Sequence, residues 1–364
     1  MHAKARLPSS RCAPARAASL RYPGARRPPV PEEPLPTRSP RPGSPARESA
    51  GLAFAGLCAL NGAFVAPVAR LTTERGDPLF VAAATTAFGG LAALLVLAAR
   101  GQLAALVRGR EARLLVALGG LGTVVPNLLF FVGTARTSAI DAVLCLQIEP
   151  VYSLLLAWLV LGHRLTARRA VSVLVLLAGV ALAVIGKSSA DPLGLGLLLA
   201  TPLAWQLSHL LVLRRLTSVP PEILTAARYV WGGVLLAPAA AALAGGSLLP
   251  EPASLRAQLP VLLIQGVVLS YVGTSLWYQA IARLDLARAT AIVVPAIPLL
   301  SLAASAVLVD EVPTGRQLAG MLLTAAGVLS FVRAPHAVEV RERVPTPSAP
   351  LGAPADPRTG GDQA

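Results

Sequence analysis

Charged and aromatic residues are both scarce in this chain of 364 residues. Only 14% of the residues are charged and 4% are aromatic, whereas 54% are hydrophobic and the mean hydropathy is +0.64. A water-soluble fold of this length needs more polar surface than this composition supplies. The composition therefore excludes an ordinary soluble domain and predicts that much of the surface faces lipid.

Histidine and cysteine are also few, with four and three residues respectively. Cys12 lies near the N-terminus, while Cys58 and Cys145 lie within apolar runs, so no metal-ligand spacing or disulfide framework is present. The sequence has no nucleophile elbow, no cluster of histidines with carboxylates and no phosphate-binding loop. We therefore expect no cofactor and no metal, and we regard a membrane-embedded enzyme as the least supported class.

The apolar residues form runs of about 20 residues, the length at which a helix crosses a bilayer. Arg, Pro, Gly or acidic residues separate the runs. The predicted fold class is an all-α membrane protein with ten transmembrane helices. We place them at 51–70, 78–99, 112–134, 138–161, 168–186, 193–213, 222–245, 258–281, 286–309 and 315–333. Residues 1–50 and 334–364 are rich in proline and polar residues, and we expect them to be disordered tails.

Lysine and arginine are distributed unevenly between alternate loops. With the N-terminus inside, the predicted cytosolic segments hold 25 of the 32 basic residues, the outer segments hold six, and Arg228 lies within a span. By the positive-inside rule, both termini are cytosolic in a multi-pass protein of the cell membrane. The net charge of +14 is thus explained without nucleic acid. The expected partners are the lipid bilayer and a small-molecule substrate; no oligomeric state is predicted.

The chain contains an internal repeat. A shift of 148 residues aligns 133–182 with 281–330 and gives ten identities, including Pro150 with Pro298. Each half then holds five spans, and because five is odd the second half must enter the membrane upside down, as in many secondary transporters. We predict two inverted five-helix repeats, at 51–187 and 193–333.

The last two helices of each half resemble those of an EamA domain, the repeat unit of the drug/metabolite transporter superfamily. The segments that carry the resemblance are IEPVYSLLLAWLVLGHRLTARRAVSVLVLLAGVAL and VPAIPLLSLAASAVLVDEVPTGRQLAGMLLTAAGVLSFV. Each has a proline in the fourth helix and a glycine near the end of the fifth. In the family an acidic residue follows that proline by thirteen positions, which Glu311 matches, whereas the first half has His163 there. The resemblance covers about 51–333 and implies transport of a metabolite or drug.

Glu149 is the main candidate site residue. It lies eleven residues after Ser138, which at about 1.5 Å per residue places it about 16 Å deep, near the bilayer centre. A carboxylate there is either neutral or paired with a cation, and both conditions suit a proton or cation site. The repeat does not require this charge, because Ile297 occupies the aligned position. The alternative is a protonated Glu149 that only bonds a neighbouring helix.

The other candidates are polar residues or prolines within the apolar runs. Arg228, six residues past Glu222, either anchors its helix by reaching the headgroups or functions by pairing with Glu149 or holding an anionic substrate group. The remaining polar residues either line a substrate path or bond between helices; they are Asn127, Gln147, Trp205, His209, Tyr271 and Gln279. Pro150 and Pro298 are hinge candidates, expected to interrupt their spans.

These features predict a secondary transporter of a small metabolite or drug that works by alternating access. Glu149 favours an exporter driven by proton entry, with the proton as the coupling ion. A channel or a non-transporting membrane scaffold is the alternative, although neither needs an inverted repeat with a single asymmetric acid.

Overall fold

The computed structural model describes residues 45–160, 166–185, 191–245, 248–281, 283–284 and 286–334. In this part of the chain every regular element is a helix. Nine of the described helices are long and apolar enough to cross a membrane, and the helix Leu286–Leu308 contributes a shorter apolar stretch, Ile292–Leu308. The all-α membrane fold is confirmed, while the number of ten spans stays a prediction.

We number these ten helices as spans 1 to 10. Spans 1 to 5 are Pro45–Arg75, Pro78–Ala99, Ala112–Ala135, Ala139–Leu159 and Ala167–Val184. Spans 6 to 10 are Pro192–Arg215, Pro221–Ala244, Pro252–Ala280, Leu286–Leu308 and Gly315–Arg333. A short 3₁₀ helix, Leu103–Leu106, follows span 2.

Three of the spans are not continuous α-helices. Span 3 contains the π-helical segment Gly120–Val124, and span 8 contains a longer one, Ile264–Val272. Span 4 is divided into Ala139–Leu146 and Glu149–Leu159. Such interruptions free backbone carbonyls, which must find other donors because lipid offers none.

Span 1 is longer than predicted at both ends. It begins at Pro45 rather than at residue 51, so the end of the predicted N-terminal tail is helical. It also continues to Arg75, beyond the predicted end at residue 70. Within this extension Arg70 pairs with Glu74 at 2.8 Å, one turn further along, which favours the helix.

The two halves pack in a pattern that is symmetric under exchange of the repeats. Span 5 lies along span 10 and span 2 lies along span 7. Span 1 contacts spans 8 and 9 of the second half, and its counterpart, span 6, contacts spans 3 and 4 of the first. Every major interface therefore joins the two repeats.

Glycines allow a close approach between spans 5 and 10. A Cβ atom on Gly179 would lie 2.6 Å from the Gly320 carbonyl oxygen, and one on Gly327 would lie 2.8 Å from the Leu176 Cα atom. Gly179 and Gly327 are aligned by the 148-residue shift, and each meets the partner helix at equivalent positions. Close backbone contact through small residues is a common way to join helices in lipid.

Large apolar side chains cover much of the outer surface of the bundle. Val307 is 80% exposed, Leu159 is 66% exposed and Leu174 is 64% exposed. Such exposure would be costly in water, but it is favourable where lipid tails surround the protein.

Candidate functional site

The break in span 4 places Glu149 at the start of a half-helix. Ser138 caps the first half by accepting a hydrogen bond from the Asp141 amide at 3.0 Å. That half ends at Gln147 and Ile148, whose amides bond three residues back, at 3.2 and 3.3 Å. The second half begins at Glu149 and has Pro150, which lacks an amide hydrogen, in its first turn.

This position favours a carboxyl group. The first turn of a helix has unpaired amides and carries the positive end of the helix dipole. Pro150 thus lies at an interruption, whereas span 9 continues as a helix through Pro298. A hinge role for either proline stays a prediction. A proline removes one helical hydrogen bond, but it does not by itself end a helix that is packed on its neighbours.

Span 6 holds the second half of span 4. The Gln206 side-chain amide donates to a Glu149 carboxylate oxygen at 2.7 Å. One turn further along, the Tyr152 hydroxyl donates to the Leu199 carbonyl at 2.9 Å. Glu149 therefore has a neutral partner that is able to donate or accept a hydrogen bond.

Arg228 supplies the positive charge of the site. Its Nη2 atom donates to the Gly122 carbonyl, in the π-helical segment of span 3, at 2.7 Å, whereas its buried Nε atom has no hydrogen-bond partner. No ion pair within 4.0 Å joins Arg228 to Glu149. The carboxyl group and the guanidinium are thus not locked together.

Sequence reasoning missed Tyr229, the next residue of span 7. Its hydroxyl donates to the Ser270 carbonyl, in the π-helical segment of span 8, at 2.9 Å. Consecutive side chains of one helix, Arg228 and Tyr229, therefore bond carbonyls in the π-helical segments of the two repeats.

Asn61 of span 1 also bonds a carbonyl of the π-helical segment of span 8, and it was not among the predicted site residues. It donates to the Val268 carbonyl at 2.9 Å. The available signal was a polar side chain within an apolar run, the same signal that selected the other residues.

The other predicted residues are spread around this centre. Asn127 donates to the Thr86 hydroxyl at 2.7 Å and so joins spans 3 and 2. Gln147 is buried at the break in span 4. Trp205 and His209 are half-buried and lie one turn apart on span 6, on either side of Gln206.

Tyr271 and Gln279 lie further away, at one end of the bundle. We call the end that holds Arg100 and Glu222 the inner end, because it is the predicted cytosolic one, and the opposite end the outer end. A cavity of about 100 Å³ opens there, lined by Arg100, Glu222, Tyr271, Ser275, Tyr278 and Gln279. The Tyr271 and Tyr229 rings meet edge to face with centroids 6.4 Å apart, which links the cavity wall to span 7. The Gln279 side chain accepts a hydrogen bond from Arg283.

His163, the departure from the family signature, lies outside the described residues. Among those that are described, no group of three or more His, Cys, Asp or Glu is placed to hold a metal ion.

An all-α bundle whose two repeats pack on each other, with a half-helix that begins at a half-buried carboxyl group, is a membrane-transporter architecture. The EamA-like transporter family matches this chain twice, over residues 49–185 and 192–333. The chain belongs to that family and is a multi-pass membrane transporter of the drug/metabolite transporter type. Small-molecule substrates and a lipid bilayer are what this family membership implies.

A solved structure, described only as the crystal structure of a protein, has the same fold. It is 20% identical, covers 78% of this chain and 96% of its own, and superposes with a TM-score of 0.56. No curated protein is significantly similar in sequence.

Proposed function

We propose that this protein exports a small metabolite or drug across the cell membrane in exchange for protons, with both termini in the cytosol. Alternating access is the mechanism, and Glu149 is the proton site. The observation that carries the proposal is the position of Glu149 at the start of the inner half of span 4, bonded to the neutral Gln206 and not held in an ion pair with Arg228.

The pairing with Gln206 suits a group that must exist in two protonation states. An ionised Glu149 accepts a hydrogen bond from the amide nitrogen, as in the present geometry. A protonated Glu149 is able to donate to the amide oxygen after the amide turns over. Uptake of a proton therefore leaves neither group without a hydrogen-bond partner. A polar group inside the bundle that loses its partner would cost free energy.

Protonation also changes what the substrate meets. While Glu149 is ionised, it attracts Arg228 or a positively charged substrate group. Once Glu149 is neutral, that attraction is gone, so proton binding and substrate release are coupled. Polar residues close to this pair, Trp205 and His209 on span 6, are proposed to line the substrate path, with Asn127 and Gln147 further along it.

The test compares the wild type with Glu149→Gln in proteoliposomes that contain a pH-sensitive dye. Amino acids, nucleosides and cationic drugs are added in turn, and proton movement is followed. We expect at least one compound to move protons with the wild type and not with Glu149→Gln, because the amide does not titrate.

Glu251→Gln is the matched control, since it makes the same substitution at an exposed residue of the outer end whose side chain makes no capping hydrogen bond. It should behave like the wild type. Equal proton movement with all three proteins would assign Glu149 a purely structural role. Substrate transport that ignores an imposed pH gradient would remove the proton from the proposal.

A further inference from the structure

A carboxylate from one repeat caps a helix of the other at the outer end. The two oxygens of Glu311, in the turn between spans 9 and 10, accept hydrogen bonds from the backbone amides of Ala139 and Ile140 at 3.0 and 3.2 Å. These amides belong to the first turn of span 4, where helical partners are absent. An anion at this position also interacts favourably with the helix dipole.

Glu311 does not cap its own neighbouring helix. Span 10 is capped by Thr314, whose side chain accepts from the Gln317 amide at 3.3 Å while the Gln317 side chain bonds back. Asp310, just before Glu311, has a left-handed backbone with φ of 53°, and the Glu311 amide donates to the Ser305 carbonyl at 3.3 Å. This turn aims the carboxylate at span 4.

A second contact joins the same two elements. The Gln317 side-chain amide donates to the Asp141 carboxylate at 3.0 Å, and both residues are buried. Arg70 of span 1 donates to the Thr134 and Ala135 carbonyls at 3.3 and 3.0 Å, at the end of span 3. The outer half of span 4 is therefore fastened to span 10 of the opposite repeat. Beside it, the end of span 3 is bonded to span 1 of its own repeat.

The inner half of span 4 is fastened to span 6 instead, through Glu149 with Gln206 and Tyr152 with Leu199. The break at residues 147–148 separates the two fastenings. At the same time the described cavity of about 100 Å³ opens at the inner end. The structure is thus fastened at its outer end and open at its inner end.

We propose that Glu311 is the positioning residue that keeps the outer end closed. When its carboxylate releases Ala139 and Ile140, the outer half of span 4 moves at the break and opens the outer end, while the half that starts with Glu149 stays with span 6. This assignment rests on the proposed alternating-access transport.

Cys145 offers a reporter for this movement. It is buried in the outer half of span 4, six residues after Ala139, which is about 9 Å along the helix. The full-length protein with Cys12→Ser and Cys58→Ser retains it as the single cysteine. The probe is a membrane-impermeant maleimide added to the outer face of sealed vesicles.

We expect Glu311→Gln to label about ten times faster than the parent, the factor that corresponds to about 1.4 kcal/mol, a common size for the loss of a helix cap. The amide keeps the shape of the side chain but loses the charge and one accepting oxygen. Glu251→Gln is the control, because Glu251 is exposed at the outer start of span 8 and its side chain makes no capping hydrogen bond. Glu74 is unsuitable, since it pairs with Arg70, which lies 4.0 Å from Glu311. Glu251→Gln should label at the parent rate.

Two outcomes overturn the assignment. The first is that Glu311→Gln labels no faster than Glu251→Gln. The second is that Glu311→Gln labels equally fast from the inner face, which would indicate general unfolding. Gln317→Met gives an independent check, since it removes the donor to Asp141 and should also speed labelling from outside only. Labelling needs no substrate, so a failure of the transport assay is distinguishable from a failure here.

Discussion

Replacing Gly179 by alanine is expected to force spans 5 and 10 apart. The added Cβ atom would lie 2.5 Å from the Thr324 amide nitrogen and 2.6 Å from the Gly320 carbonyl oxygen. Comfortable contacts are about 3.5–4.0 Å, so both are about 1 Å too short. Both neighbours are backbone atoms of a packed helix, which do not move aside as a flexible side chain does.

The magnitude follows from two opposing effects. Overpacking of a tight contact costs about 1–3 kcal/mol. Alanine in a helix gains about 0.5–1 kcal/mol over glycine. The net expectation for Gly179→Ala is a loss of between about 0 and 2.5 kcal/mol in the free energy of unfolding, and the two short backbone contacts favour the upper part of this range.

The assay is reversible unfolding in mixed micelles, with Gly196→Ala of span 6 as the control. A Cβ atom at Gly196 meets nothing within 4 Å, so that variant should keep or slightly raise stability. Gly327→Ala should lose about as much as Gly179→Ala, because its Cβ atom would lie 2.6 Å from the Leu176 amide nitrogen. If Gly179→Ala proved as stable as Gly196→Ala, the close packing of the two repeats as described would be refuted.

Two further substitutions test polar contacts. Arg228→Met should lower the free energy of unfolding by about 1–3 kcal/mol, because the buried Gly122 carbonyl loses its donor. Arg228→Lys should lower it less, since lysine is still a donor. Equal unfolding curves for Arg228→Met and the wild type would contradict this prediction. The hydrogen bond from Arg136 holds the pKa of Asp191 below its usual range, so ionised Asp191 contributes stability at neutral pH that is lost as the pH falls through that lowered pKa. The melting-temperature difference between wild type and Asp191→Asn should therefore shrink in acid, and a difference that stays constant with pH would count against the pairing.

Much of the fold could be predicted from the sequence because a membrane helix is recognisable from its own stretch of apolar residues. Apolar runs of the right length located the spans, and the 148-residue shift identified the two repeats that the family match also finds. The aligned glycines of spans 5 and 10 were visible as identities. Their role in close packing depends on which helix lies opposite. The sequence of a repeat does not identify that helix directly.

The site was less predictable, since its chemistry depends on departures from symmetry. Two aligned prolines behave differently: Pro150 accompanies a break and Pro298 does not. Nothing local distinguishes them, because the break is stabilised by contacts of Glu149 and Tyr152 with span 6. The partners of Glu311, the amides of Ala139 and Ile140, were equally unpredictable, since they lie in the other half of the chain.

The two consecutive donors on span 7 have a consequence for motion. Arg228 and Tyr229 bond one backbone carbonyl in each repeat, and lipid cannot replace either donor. If spans 3 and 8 separate, span 7 can move with only one of them. The carbonyl of the other span then loses its hydrogen bond unless another donor replaces Arg228 or Tyr229. Intermediate positions are therefore penalised, and we expect span 7 to favour two discrete positions over a continuous range.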